Sequence, residues 1–252
     1  MSDSTVVLIT GVARGLGKAF TEFYLARPNH TVIGTVRDPS APNAQSLYSL
    51  PKAAGSQLHL LKLEATNAAD YPALTASITQ DLKITHVDLA IANSGISCSP
   101  TPLHTIAPEL VLSAYDVNTV GTLRLYQATR ELLEKSSKSP KWVSISSGAG
   151  SIEGVKVYGT QPFSMYGMSK AAMNWLTVAI HNADGWLTAF AVHPGLVQTE
   201  MGNKGAREFG LEEAPNTIGE AITGVTARID SATREETSGK FWNTIDGTEV
   251  PW

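Results

Sequence analysis

Seven short apolar runs, separated by longer stretches with helical spacing of their apolar residues, constrain this chain most. The runs are 5–10 TVVLIT, 31–36 TVIGTV, 57–63 QLHLLKL, 87–92 VDLAIA, 141–146 KWVSIS, 187–193 LTAFAVH and 240–245 KFWNTI. They are rich in β-branched and aromatic residues and short enough to be strands. Between them, residues 16–26, 68–82, 107–134, 164–183 and 216–229 repeat apolar residues every three or four positions, as amphipathic helices do. A strand that is apolar almost throughout is buried on both faces, which requires a parallel sheet with helices above and below. Right-handed crossovers then wind the sheet in two directions. The expectation is an α/β fold: a doubly wound, seven-stranded parallel sheet with helices on both faces. EKSSKSP at 134–140 reads as a polar helix end rather than a linker, so one domain spanning 1–252 is expected.

Composition removes several classes of function. The 19 basic and 23 acidic residues are mixed along the chain, with a net charge of −4 and no basic stripe, so nucleic acid is not an expected partner. No apolar run approaches the roughly 18 residues of a membrane helix. The opening MSDST is polar, unlike a signal peptide. Cys98 is the single cysteine, so no intrachain disulfide can form, which favours a reducing compartment, most simply the cytosol. His30, His59, His86, His104, His181 and His193 lack metal-ligand spacing, and no metal is expected.

The first apolar run leads into TGVARGLG, residues 10–17, and then into a helical stretch. Glycine lets backbone N–H groups approach a ligand, and a helix N-terminus carries partial positive charge, about +0.5 e. A pyrophosphate suits such a turn. The spacing of Gly11, Gly15 and Gly17 is G-x-x-x-G-x-G, which is neither G-x-G-x-x-G nor a Walker loop. Alone, the octet is equally a plain strand-to-helix turn.

Five further elements follow in order. ANSG at 92–95 closes the fourth run, and NTVG at 118–121 lies inside the long helical stretch, where asparagine is a poor choice without a buried task. SSGAG at 146–150 follows the fifth run; Ser146 and Ser147 point to opposite sides of a strand. YGMSK at 166–170 sets Tyr166 and Lys170 four apart on one helix face, where an ammonium would lower the phenol pKa. HPGLVQT at 193–199 follows the sixth run. His193 reads as a strand-end residue rather than a base.

Together these elements resemble the short-chain dehydrogenase/reductase family, whose pattern is T-G-x-x-x-G-x-G, N-N-A-G, a buried Asn, Ser, Y-x-x-x-K and P-G-x-V-x-T. The match covers residues 10–201. Ala92 and Ser94 depart from N-N-A-G, while Asn93 and Gly95 keep it. The resemblance implies a Rossmann fold and a catalytic set of Asn118, Ser147, Tyr166 and Lys170. Tyr166 would give a proton to a carbonyl oxygen and Ser147 would orient that oxygen. Lys170 would lower the Tyr166 pKa and hold the nicotinamide ribose, and Asn118 would place a relay water. The cofactor would lie on Gly11, Arg14, Gly15, Leu16, Gly17, Arg37, Glu64, Asn93, Gly95, Tyr166, Lys170, Pro194, Gly195, Val197 and Thr199. WNTIDGTEVPW, which closes the sequence, resembles the ends of norsolorinic-acid-type fungal ketoreductases and of the sniffer and C-factor carbonyl-reductase branch.

Arg37, just after the second run, stands where an acid would select NAD, and Arg14 adds a second cation. Guanidinium groups suit a 2′-phosphate, so NADP(H) is the expected cofactor. Asp38 lies one residue beyond the discriminating position and can begin the DPS turn. Glu64 replaces the family's usual Asp beside adenine. From Ser147 to Tyr166 the chain is longer than the family's commonest spacing. The substrate loops are expected at 148–164 and 200–217, with Tyr158, Phe163 and Phe209 as wall candidates.

The resulting expectation is an NADPH-dependent reductase of a ketone or aldehyde, placed in fungal secondary metabolism. A non-catalytic NADP(H)-binding regulator is the alternative, opposed by the intact Ser-Tyr-Lys set. An epimerase or dehydratase would carry T-G-x-x-G-x-x-G and an added substrate domain. The resemblance also implies a homodimer or homotetramer through the helices 107–134 and 164–183.

Overall fold

The computed structural model describes residues 4–97 and 99–252. Cys98, on which the compartment expectation rests, lies outside the described residues. Seven parallel strands form one sheet in the order β3-β2-β1-β4-β5-β6-β7. They are β1 (Thr5–Thr10), β2 (His30–Val36), β3 (Gln57–Lys62), β4 (Leu89–Ala92), β5 (Lys141–Ile145), β6 (Thr188–His193) and β7 (Phe241–Asn243). The order reverses between β1 and β4, paired through Val7 and Leu89, and a crevice opens beyond their carboxyl ends.

The helices are α1 (Gly15–Leu25), α2 (Pro42–Gln45), α3 (Asp70–Ala76), α4 (Pro108–Tyr115), α5 (Gly121–Glu134), α6 (Val155–Tyr158), α7 (Ser164–Ala183), α8 (Glu200–Glu208) and α9 (Ile218–Ser231). Alternate residues of each strand feed two cores. Val7 and Ile9 of β1 pack with Phe20 and Tyr24 of α1 and with Ile222 and Val225 of α9. Val6 and Leu8 pack with Leu74 of α3, Leu125 and Leu132 of α5, and Leu176 and Ile180 of α7. Burial on both faces is what a continuous apolar strand requires.

Two of the expected helical stretches carry a detail that periodicity does not show. The stretch 107–134 is helical from Pro108 to Glu134, with a π-turn at Asp116–Val120 joining α4 to α5. Asn118 sits in it, and single π-turns inside α-helices are frequent at functional sites. The stretch 68–82 likewise passes from α3 into a π-turn at Ser77–Asp81. The short helices α2, α6 and α8 show no stripe long enough to be read from sequence. In α8, Gly202 and Gly205 also lower helix propensity.

Candidate active site

The crevice is built from four strand ends. β1 delivers the glycine turn. A side-chain carbon built on Gly17 would fall 2.2 Å from the Gly11 carbonyl oxygen, so the turn can close only on glycine. No side chain caps the N-terminus of α1, whereas Thr199 caps α8 and Thr217 caps α9. The first-turn N–H groups of α1, those of Gly15, Leu16 and Gly17, therefore face the crevice as donors for an anion.

β4 holds that turn in place. Asn93 Nδ2 donates to the Thr10 carbonyl at 2.8 Å, and the N–H groups of Asn93 and Ser94 both donate to Thr10 Oγ1 at 3.0 Å. Next along the chain, Gly95 leaves room for two side chains. A carbon built on it would lie 3.1 Å from Asn118 Oδ1 and 3.6 Å from Lys170 Nζ. Asn118 is fully buried, accepts from Ile96 N–H at 2.8 Å, and donates to the Ile96 carbonyl and to Ser169 Oγ, both at 2.9 Å. Both amide hydrogens are thus used. The side chain clamps the segment after Gly95 to α7, and a relay water would have only the second Oδ1 lone pair or the backbone to hold it. Ser169 has no signal in the sequence; only its place between Tyr166 and Lys170 could have drawn attention to it.

β5 and α7 bring the catalytic candidates together. Ser146 turns inward and donates to Asn174 Oδ1 at 2.5 Å. Ser147 caps the short turn after β5, its Oγ accepting from Ala149 N–H at 3.2 Å, and its hydroxyl lies close enough to the Tyr166 side chain to favour the phenolate. Lys170 Nζ lies 5.6 Å from the Tyr166 ring centroid and donates to the Ile145 carbonyl at 2.8 Å. The lowering of the Tyr166 pKa expected from Lys170 is not seen in this structure. Burial pushes the phenol up to about 12, opposed by the nearby Ser147 hydroxyl. Burial also brings Lys170 itself down to about 7, because an enclosed ammonium loses its hydration.

β6 ends in the Pro194-Gly195 turn. Gly195 has φ 89°, and a carbon built on it would strike Asn216 Oδ1 at 2.4 Å. That oxygen accepts from Leu196 N–H, fixing the chain towards Val197 and Thr199. Thr199 reaches the glycine turn: its Cγ2 lies 3.5 Å from a carbon built on Gly15. The two Gly-containing turns therefore form opposite banks of one crevice, with Ser147, Tyr166 and Lys170 between them.

Known proteins resemble this chain in sequence and fold. The family model for short chain dehydrogenases matches residues 5–208. The chain belongs to the short-chain dehydrogenase family. A short-chain dehydrogenase of Neurospora crassa is 43% identical, covering 100% of this chain and 99% of its own. Norsolorinic acid ketoreductase of Aspergillus parasiticus is 35% identical, covering 99% of this chain and 92% of its own. The crystal structure of NADPH-bound carbonyl reductase from chicken fatty liver superposes with a TM-score of 0.86 at 30% identity, covering 99% and 94% of the two chains. The protein is thus an oxidoreductase of ketoreductase and carbonyl-reductase kinship, built to bind a nicotinamide cofactor.

Four residues weighed for the cofactor have defined surroundings in this dehydrogenase. Arg14, expected on a 2′-phosphate, forms an ion pair with Glu200 in the first turn of α8. Both side chains are largely exposed, so the pair contributes roughly 0–1 kcal/mol. Arg37 follows β2 directly and is exposed. The glycine turn lies beside it, since Gly11 and Val12 N–H both donate to the Thr35 carbonyl. Asp38 accepts from Ser40 N–H at 2.8 Å and Oγ at 2.6 Å, which holds its carboxyl below the usual range and organises the turn. Glu64 is half-buried after β3, its N–H donating to Asp70 Oδ2.

The wall candidates join the two loops. Phe163 and Phe209 pack at 5.2 Å, linking 148–164 to 200–217. Tyr158 is exposed and lies 6.2 Å from the His193 ring. Burial brings His193 down to about 4, leaving it uncharged at neutral pH, and its Nδ1 has no hydrogen-bond partner. Its Nε2 lies 3.4 Å from a carbon built on Gly148, next to Ser147. Among the described residues no group of His, Cys, Asp and Glu could hold a metal, and no helix is long and apolar enough to cross a membrane.

The buried lysine has a consequence for stability. Lys170 titrates near 10.5 unfolded and about 7 folded, so the unfolded chain binds more protons between those values. Stability contributed by this group is therefore absent below about pH 7 and recovered as pH rises. Tyr166, raised in the folded chain, acts in the opposite sense only above about pH 10. Thermal melts of the cofactor-free protein should show Tm climbing from pH 7 towards 9.5, with the climb shallower in Lys170→Met. An equal slope in that variant would contradict the assignment.

Proposed function

We propose that this dehydrogenase reduces a ketone or aldehyde to an alcohol with NADPH, in fungal secondary metabolism. The observation that carries the reading is the trio at the carboxyl end of β5: the Ser147 hydroxyl near the Tyr166 side chain, and buried Lys170 one helical turn from Tyr166. When bound, the nicotinamide supplies the hydride. The chain's own residues do the rest. The α1 N-terminus receives the pyrophosphate, and the bank from Pro194 to Thr199 holds the nicotinamide end. Ser147 Oγ fixes the carbonyl oxygen, and Tyr166 Oη gives it a proton. Lys170 Nζ, within the same enclosure, stabilises the phenolate left behind. A ribose hydroxyl at Lys170 would let it keep its charge despite burial.

Arg37 supports NADPH over NADH, because a guanidinium at the end of β2 matches a 2′-phosphate and leaves no acid there for a 2′-hydroxyl. Apolar side chains stand exposed around the loops at Ile152, Val157, Phe209 and Leu211, which favours an apolar, ring-bearing carbonyl compound. The fungal relative whose name carries norsolorinic acid fits that substrate class. The test is cofactor oxidation with a panel running from small aldehydes to aromatic polyketide ketones, with NADPH and NADH in parallel. Turnover of ring-bearing ketones with NADPH is expected. NADPH binding without turnover of any carbonyl compound would favour the regulator instead.

A further inference from the structure

The last residues of the chain reach the loop that carries Ser147. Glu249 forms an antiparallel bridge with Trp242, and Val250 N–H donates to the Phe241 carbonyl at 2.7 Å. Val250 is buried against Ala191 and Phe241, and the Trp252 ring stacks on Phe241 with centroids 5.6 Å apart. The tail is thus anchored on β7 before it meets the loop. There, Ser151 Oγ donates to the Pro251 carbonyl at 2.6 Å and accepts from Gly154 N–H at 2.8 Å. Glu153 N–H donates to the Trp252 carbonyl at 3.0 Å. Two consecutive tail carbonyls therefore hold the tight turn 151–154.

That turn connects the two parts of the carbonyl site. On one side, Ser151 N–H donates to the Gly148 carbonyl, and Gly150 N–H to that of Ser147. On the other, Gly154 opens α6, and a carbon built on it would fall 2.7 Å from the Tyr158 ring. No described contact of Pro251 or Trp252 reaches the glycine turn, Arg37 or Thr199.

We infer that Pro251 and Trp252 form a strap that positions segment 147–158, setting the Ser147 hydroxyl and the Tyr158 wall for the carbonyl substrate. They are positioning residues, since they act through Ser151 and Glu153. The inference rests on the carbonyl-reductase reading above. Trp252→Ala should raise KM for a ring-bearing ketone about fivefold or more, with a smaller fall in kcat. NADPH Kd, read by fluorescence without ketone, should stay within about twofold. Trp252→Phe, which restores the stack, should recover KM. Ser151→Ala, which removes one hydroxyl and tests the strap even if Trp252→Ala does not fold, should shift KM in the same direction. An unchanged ketone KM in Trp252→Ala and Ser151→Ala, or an equal loss of NADPH affinity, overturns the strap. A wild-type protein that binds NADPH but reduces no carbonyl compound overturns the function reading, and the strap with it. Wild-type turnover with unmoved variants overturns the strap alone.

Discussion

Tyr166→Phe should retain NADPH binding and lose carbonyl reduction by about 10²–10⁴-fold, the usual contribution of a positioned general acid. That corresponds to roughly 3–5 kcal/mol of barrier at 1.36 kcal/mol per tenfold. The substitution removes one oxygen and leaves the ring in place, so packing within α7 is little disturbed. Ser147 keeps its own tether, since its Oγ still accepts from Ala149 N–H at 3.2 Å. The loss should fall on kcat, because the proton is given in the transition state rather than in the ground state. Single-turnover reduction of a ketone, with NADPH binding followed by fluorescence, checks both halves. Retention of more than about a tenth of wild-type turnover would show that another group supplies the proton.

Arg37→Asp should reverse cofactor choice. A hydrogen bond to a charged group contributes about 1.5–3 kcal/mol, so removing the guanidinium alone weakens NADPH roughly 10- to 150-fold. A carboxylate there adds repulsion against the 2′-phosphate and gives NADH's 2′-hydroxyl an acceptor. The ratio of kcat/KM for NADPH over NADH should fall by about two orders of magnitude or more, most steeply at low salt. Arg37 is exposed after β2 and packs into neither core, so Tm should hardly move. An unchanged ratio would mean that Arg37 does not meet the 2′-phosphate.

Most of the fold was legible because a two-faced parallel sheet needs continuous apolar strands. TVVLIT matches β1 residue for residue, and the stripe at 164–183 matches α7. What escaped was irregular or short. The π-turn at Asn118 keeps the apolar spacing on both sides, so periodicity runs through it unbroken; only the misplaced asparagine gives a hint. In the site, residues tied to backbone geometry were readable: Gly17 and Gly195 have neighbours within 2.4 Å of where a side chain would begin. Partnerships across the chain were not. Nothing in sequence spacing joins Arg14 to Glu200, Asn118 to Ser169, or Ser151 to Pro251. The sense of the Tyr166 shift also depends on enclosure, which four-residue spacing with Lys170 does not report.

The Arg14–Glu200 pair bears on how the two arginines divide their work. Glu200 gives Arg14 a resident counter-ion from within the chain. A phosphate arriving at Arg14 would exchange one anion for another, so the gain is the difference between a dianion and a carboxylate. Arg37 has no such tenant among the described residues and would yield the full value of its contact. If the cofactor is NADPH as proposed, two cations of equal formal charge would be unequal in selection, and the arginine outside the glycine turn would carry the larger share of the preference for a 2′-phosphate.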